Sequence, residues 1–288
     1  MKAPELSYKR AESVPHVLEL LAEYGDEARL LAGGQSLMPT LNMRLSKPAL
    51  LIDINGLEPL KGISLEDDVV RVGALARHAE VMRSVIVAQN VPLIADAMPH
   101  IAHVAVRNRG TFGGSIAFAD PAAELPACVV ALDATIVVES TRGRRDIPAR
   151  EFFKGLFDTE REPDELLTEV RIPRIGPDCF HNFSELARRQ GDFAIAGVAC
   201  TVEVDGDMIS KARLVYFASE DRPTIGVNAV AELTNKPWSA TAREEALEAL
   251  GDDLDPMTNV QGSSEFKLHL QRVLTGRALD KIMAQVRA

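Results

Sequence analysis

At 288 residues, 46% hydrophobic and 26% charged, the chain has the composition of a folded globular protein and the length for two or three lobes. Its formal net charge of −10 argues against nucleic-acid binding, which asks for a basic face. No apolar run approaches the roughly 18 residues of a membrane span, and Met1–Arg10 holds no signal-peptide core, so a cytoplasmic location is expected. Cys128, Cys179 and Cys200 are far apart and lack C-x-x-C spacing, so they offer no zinc or iron–sulfur ligand set. Cys128 and Cys200 lie among apolar neighbours and read as small core residues.

Ser13 is placed to cap a helix whose apolar face is Val17, Leu18, Leu20 and Leu21, ended by Gly25. Ala28–Ala32 is an apolar run of strand length that delivers the chain into Gly33-Gly34, followed by a short helix over Ser36–Leu45. Leu50–Ile54 is a strand closed by Asn55-Gly56. A second lobe starts there, with a strand at Val69–Val72 and helices over His78–Ala88 and Leu93–Ala102. His100 and His103 stand three apart, but with no carboxylate or cysteine companion nearby they read as residues for packing or backbone hydrogen bonding rather than metal ligands.

Arg107–Glu124, R-N-R-G-T-F-G-G-S-I-A-F-A-D-P-A-A-E, is the stretch around which the chain is organised. It reads as a glycine-rich loop whose backbone approaches a bound group closely and whose N–H groups form an anion nest. Paired with Gly33-Gly34, it suggests two turns holding one diphosphate between them. A helix over Ala122–Leu132 follows, then a hairpin from Ala134–Glu139 through Arg142-Gly143 to Arg145–Ile147, whose basic run is a solvated turn. A strand at Leu166–Ile172 stops at Pro173, and Pro173–Pro177 is the best linker. Beyond it, strands at Phe180–Ala187, Ile195–Val204 and Ile209–Ala218, the last two joined at Asp205-Gly206, precede helices over Ala240–Leu250 and Ser264–Val286. The expected fold class is α+β, with lobes at 1–55, 56–175 and 176–288.

The chain has no G-x-x-x-x-G-K-[ST], no G-x-G-x-x-G after a strand, no H-E-x-x-H and no G-x-S-x-G. Two glycine-rich, hydroxyl-bearing turns with acids downstream suit a protein whose reactivity belongs to a bound cofactor.

A-G-G-Q-S-L at Ala32–Leu37 and G-T-F-G-G-S-I-A at Gly110–Ala117 resemble the two FAD-binding loops of the flavoprotein, or medium, subunits of molybdenum hydroxylases. The likeness runs through V-G-A-L-A-R-H at Val72–His78, D-P-A-A-E-L-P at Asp120–Pro126, L-L-T-E-V-R-I-P at Leu166–Pro173 and A-R-R-Q-G-D-F-A-I-A-G-V-A at Ala187–Ala199, covering almost the whole chain in order. The resemblance implies a two-lobed PCMH-type FAD-binding fold followed by a small α+β domain with an antiparallel sheet. It also implies non-covalent FAD, no catalytic or metal-ligating residue on this chain, and partner subunits: a large one with molybdopterin and a small one with [2Fe-2S] clusters.

Carried over position by position, Ala32, Gly33, Gly34, Gln35, Ser36 and Leu37 face the pyrophosphate, with Thr111, Gly113, Gly114 and Ser115 on its other side and along the ribityl chain. Asp120 and Glu124 accept from ribityl hydroxyls; for Asp120 a role in the turn before Pro121 is an equal alternative. Leu167 approaches the isoalloxazine through its backbone, or is simply a core strand residue. Phe193 either covers the flavin or is a core aromatic. Gln35 and Ser115 replace the histidine or asparagine of many members and keep hydrogen-bonding ability. Glu185 departs more sharply, since some relatives have a lysine about there; Arg188 or Arg189 then substitutes, or the flavin has a lower potential. Two other readings stay open: a self-sufficient flavin oxidoreductase, which needs an acid–base group facing the flavin, and a non-enzymatic nucleotide- or partner-binding module, which would be colourless.

Overall fold

A computed structural model describes residues 2–287. The chain opens with a parallel three-stranded sheet in the order Ser7–Arg10, Leu50–Asp53, Ala28–Leu31. Parallel neighbours need crossovers, and the helices Val14–Tyr24 and Leu37–Asn42 supply them. Ser13 caps the first by accepting from the His16 N–H, and Val17, Leu20 and Leu21 bury its inner face against Ile52 and Leu50. Gly33-Gly34 and Asn55 both lie just past the carboxyl ends of these strands, the edge where open parallel sheets bind ligands.

The second sheet is antiparallel, in the order Ile63–Glu66, Val69–Gly73, Leu166–Pro173, Thr135–Ser140, Gly143–Pro148. The expected helix over His78–Ala88 is broken in two. Ser84 is extended (ψ 118°) and its hydroxyl accepts from the Val87 N–H, ending His78–Arg83 and capping Val85–Asn90. Arg107–Glu124 is not one loop either. It closes the helix Val104–Arg107, forms the helix Phe112–Phe118, and enters Glu124–Ala131 after Ala119 takes a left-handed conformation (φ 52°).

The third sheet runs Cys179–Ala187, Ala194–Asp205, Met208–Phe217, Thr224–Ile225, antiparallel, with the helices Val227–Leu233, Ala240–Asp253 and Ser264–Val286 on one side. Strand alternation divides its residues between two cores. Val198, Cys200, Leu214 and Tyr216 pack with those helices, while Ala199, Val215 and Phe217 join the core of the second lobe. Burial on both faces explains the run without a polar side chain from Ala194 to Cys200. Cys128 and Cys200 are wholly buried and unpaired. No helix among the described residues is long and apolar enough to cross a membrane.

Candidate functional site: a cleft between two glycine turns

All the residues singled out along the chain for cofactor binding line one cleft of about 380 Å³: Ala32 to Leu37, Thr111, Gly113, Gly114, Ser115, Asp120, Glu124, Leu167 and Phe193. The two turns meet backbone to backbone. A Cβ on Gly33 would lie 2.5 Å from the Arg109 carbonyl oxygen and 2.8 Å from Gly110 Cα, so only glycine permits this approach.

Gly34 adopts φ 69°, in the left-handed region, and turns the chain so that the N–H groups of Gly33, Gly34, Gln35 and Ser36 find no acceptor among the described residues. Gln35 folds back, its Nε2 donating to the Gly33 carbonyl at 2.9 Å. Successive unsatisfied N–H groups in a turn make a concave anion site.

The second turn differs from expectation. The Phe112 N–H donates to the Ala76 carbonyl (2.9 Å) and the Gly113 N–H to that of Ala74 (3.0 Å). The Gly114 N–H donates to Thr111 Oγ1 (3.1 Å) and the Ser115 N–H to the Thr111 carbonyl (3.1 Å). Its amides are therefore spent inside the protein. Neither Gly113 nor Gly114 has positive φ; Gly113 is required because a Cβ would lie 2.6 Å from Ala74. This wall offers the cleft hydroxyls and a close, side-chain-free surface.

The far end is acidic. Asp120 Oδ1 accepts from the Ala122 N–H at 2.9 Å, which is the turn role, and Oδ2 has no donor among the described residues. Burial raises the Asp120 carboxyl above its usual range. Glu124, only 7% exposed, is pushed up to about 7, chiefly by burial, with Glu185 and Asp120 adding to the shift and His100 opposing it. His100 does have a carboxylate companion, contrary to the sequence-based expectation: Glu185, from the third sheet, brings Oε1 within 3.0 Å of its Nδ1. Sequence separation of 85 residues hid that pair. Glu185 is not part of the cleft wall and its side chain is 4% exposed, while Arg188 turns away to donate to the Val260 carbonyl. Phe193 is 60% exposed, which rules out the core alternative, whereas Leu167 is a buried strand residue at the cleft edge.

Two other cleft residues, His78 and Arg161, were given no site role from the sequence. His78 donates from Nε2 to the Thr111 carbonyl at 2.8 Å, since a carbonyl can only accept, and burial holds its pKa down. Arg161 brings a guanidinium to the wall, fixed through donation to the Glu165 and Glu162 carbonyls.

This architecture and cleft define a class. Residues 4–175 match the family described as the FAD binding domain in molybdopterin dehydrogenase, and residues 181–282 match the CO dehydrogenase flavoprotein C-terminal domain. The chain belongs to the FAD-binding medium-subunit family of the molybdenum hydroxylases, which are oxidoreductases, and has the two-lobed FAD-binding fold with a third α+β domain. It is 39% identical to the 6-hydroxypseudooxynicotine dehydrogenase complex subunit alpha of Paenarthrobacter nicotinovorans, over all of this chain and 97% of that one. Among solved structures it is similar to a chain of carbon monoxide dehydrogenase from Hydrogenophaga pseudoflava (34% identity, TM-score 0.96, 99% of each chain). A chain of quinoline 2-oxidoreductase from Pseudomonas putida 86 is also similar (36% identity, TM-score 0.92, 98% of each chain).

The residues present fit FAD. Unsatisfied amides at Gly33–Ser36 suit a diphosphate, and the hydroxyl of Ser115 with the free oxygen of Asp120 suits a polyol chain.

Proposed function

We propose that this chain is the electron-transfer subunit of a molybdenum hydroxylase. It receives electrons from iron–sulfur clusters on a small partner subunit and passes them to an external acceptor, while the organic substrate is oxidised on a large molybdopterin-binding subunit. The turn at Gly33–Ser36, whose four N–H groups have no acceptor among the described residues and which lines the cleft, carries the reading. FAD, when bound, supplies the two-electron redox chemistry. The polypeptide holds it: Ala32–Leu37 on the diphosphate, Thr111, Gly113, Gly114 and Ser115 opposite, Asp120 and Glu124 on the ribityl hydroxyls, and Leu167 and Phe193 beside the ring.

The relatives support partners, since two from Paenarthrobacter nicotinovorans are named as parts of assemblies: the 6-hydroxypseudooxynicotine dehydrogenase complex subunit alpha and the nicotine 6-hydroxylase medium subunit. The purified chain is expected to be yellow and to release intact FAD on heating. Co-purified with a small iron–sulfur subunit and a large molybdopterin subunit, its flavin absorbance should bleach anaerobically when the organic substrate is mixed in. An isolated chain that oxidised an organic substrate on its own at about 10 per second would overturn the subunit reading in favour of a self-sufficient oxidoreductase.

A further inference from the structure

The two glycine turns come from different lobes, and side chains outside the cleft hold them in register. Arg77 precedes the helix His78–Arg83 in the second lobe. Its Nη1 donates to the Arg109 carbonyl, at the entry to the second turn, and its Nη2 donates to Asn55 Oδ1 at 2.6 Å. Asn55 follows the strand Leu50–Asp53 of the first lobe, and its Nδ2 donates to the carbonyls of Ala32 (2.8 Å) and Leu31 (3.1 Å), where the chain enters the first turn. The amide orientation follows from chemistry: a guanidinium only donates and a carbonyl only accepts.

Asp53 anchors the other end. Its Oδ1 accepts from the Asn55 backbone N–H at 2.9 Å, and its Oδ2 accepts from the Tyr8 hydroxyl at 2.6 Å. One hydrogen-bonded path therefore runs from Tyr8 through Asp53 and Asn55 to Arg77. It grips the carbonyls of Leu31 and Ala32 before the first turn and of Arg109 before the second. The Arg109 carbonyl held by Arg77 is also the atom against which Gly33 is pressed.

We propose that Arg77 and Asn55 are positioning residues for the diphosphate end of the cleft, setting the separation of the two turns across the lobe boundary. Neither belongs to the cleft wall, so they act through the turns. The inference rests on the reading that this cleft takes the diphosphate of FAD. A planar, two-pronged donor is needed to reach a carbonyl and an amide together, which a lysine ammonium does not reproduce.

The test measures dissociation constants of the full chain, freed of flavin, for FAD and for ADP, which shares the diphosphate but lacks the flavin. Melting temperatures are recorded alongside. Arg77→Met and Arg77→Lys should each weaken FAD and ADP by a similar factor, about 10- to 100-fold, and Asn55→Ser should do the same. In the Arg77→Met/Asn55→Ser double variant the losses should not add, because both break one path. Should Arg77→Met fail to fold, Asn55→Ser and Arg77→Lys carry the same comparison. Folded variants whose melting temperature falls while both affinities stay unchanged would overturn the proposal, as would loss of FAD affinity with ADP affinity intact. Wild-type chain that bound neither FAD nor ADP would instead sink the reading of the cleft, and the proposal with it.

Discussion

Gly33-Gly34 and Gly113-Gly114 are both paired glycines with a serine within the next two residues, but their backbones are used in opposite ways. The first turn is open: Gly34 takes φ 69° and the amides of Gly33 to Ser36 have no acceptor among the described residues. The second is closed: it winds into the helix Phe112–Phe118, and the amides from Phe112 to Ser115 all donate internally. In one turn glycine supplies a conformation and exposed donors; in the other it supplies only the absence of a side chain. The difference teaches that a glycine-rich motif is ambiguous until the destination of its amides is known.

The largest expected effect breaks the open turn. Gly33→Val drives a branched side chain into the Arg109 carbonyl and Gly110 Cα, which are backbone and cannot step aside. FAD affinity should fall by at least about 100-fold, by titration of flavin fluorescence, because the two turns must part. Gly34→Ala is the milder control: its new Cβ would sit 3.1 Å from Leu31 Cδ1 and 3.3 Å from Met38 Cγ, so the main cost is about 1 kcal/mol of strain at positive φ. If Gly33→Val kept its FAD, the contact between the turns would not govern binding.

Next in size is the acidic floor beyond the closed turn. Glu124 has an ordinary value of 4.5 when unfolded and about 7 when folded, so the folded chain holds that proton to higher pH. Its stabilising contribution is complete below pH 4.5 and is lost as pH rises through about 7, a swing of about 3 kcal/mol. His100, raised chiefly by its hydrogen bond to Glu185, gives a slope of the same sign. Urea unfolding of the flavin-free chain at pH 5 and pH 8 should show wild type losing stability with pH and Glu124→Gln losing much less. Parallel pH profiles would show that the burial of Glu124 is not what sets the slope.

How much of this was legible in the sequence depended on whether the signal was local. The Ser13 cap, the Asp205-Gly206 hairpin (Gly206 φ 58°) and the order of the cleft residues were all readable, because caps, turns and motifs act over a few residues. Ser7–Arg10 was not: all four residues are exposed, so the strand that pairs with Leu50–Asp53 shows no alternation. Ser84, whose hydroxyl splits one apparent helix, lies within a helical periodicity that hides it. His78, Arg161, Arg77 and Asn55 reach the site through folding partners 22 to 33 residues away or through neighbouring carbonyls, and no residue pattern announces that. The closed state of the second turn was missed for the same reason, since the acceptors at Ala74 and Ala76 lie in the turn that follows the strand Val69–Gly73.

Within the closed turn, Gly113→Ala tests packing rather than binding. The added Cβ would lie 2.6 Å from both Ala74 Cα and Ala74 Cβ, so the helix Phe112–Phe118 has to shift against the second lobe. Overpacking of this kind costs about 1–3 kcal/mol, read by urea unfolding. The FAD affinity of the folded variant should change much less than for Gly33→Val. An affinity loss as large as that of Gly33→Val would erase the distinction between the two turns.

The smallest effect concerns the hydroxyl that closes the second turn. Thr111 is 1% exposed, caps the helix Phe112–Phe118 from an extended conformation, and accepts the Gly114 N–H on Oγ1. Thr111→Val keeps the shape but leaves that amide unpaired, at a cost of about 1 kcal/mol in the flavin-free chain. The hydroxyl also carries a proton of its own, which the Gly114 contact does not use, and Thr111 lines the cleft. If that proton is donated to the bound cofactor, Thr111→Val should additionally weaken FAD by about fivefold, the worth of one neutral hydrogen bond of about 1 kcal/mol. Thr111→Ser, which keeps both the acceptor and the proton, should restore the affinity even where some packing is lost. A lower melting temperature with unchanged FAD affinity in Thr111→Val would make Thr111 a helix cap alone, leaving Ser115 as the hydroxyl that this wall offers to the ligand.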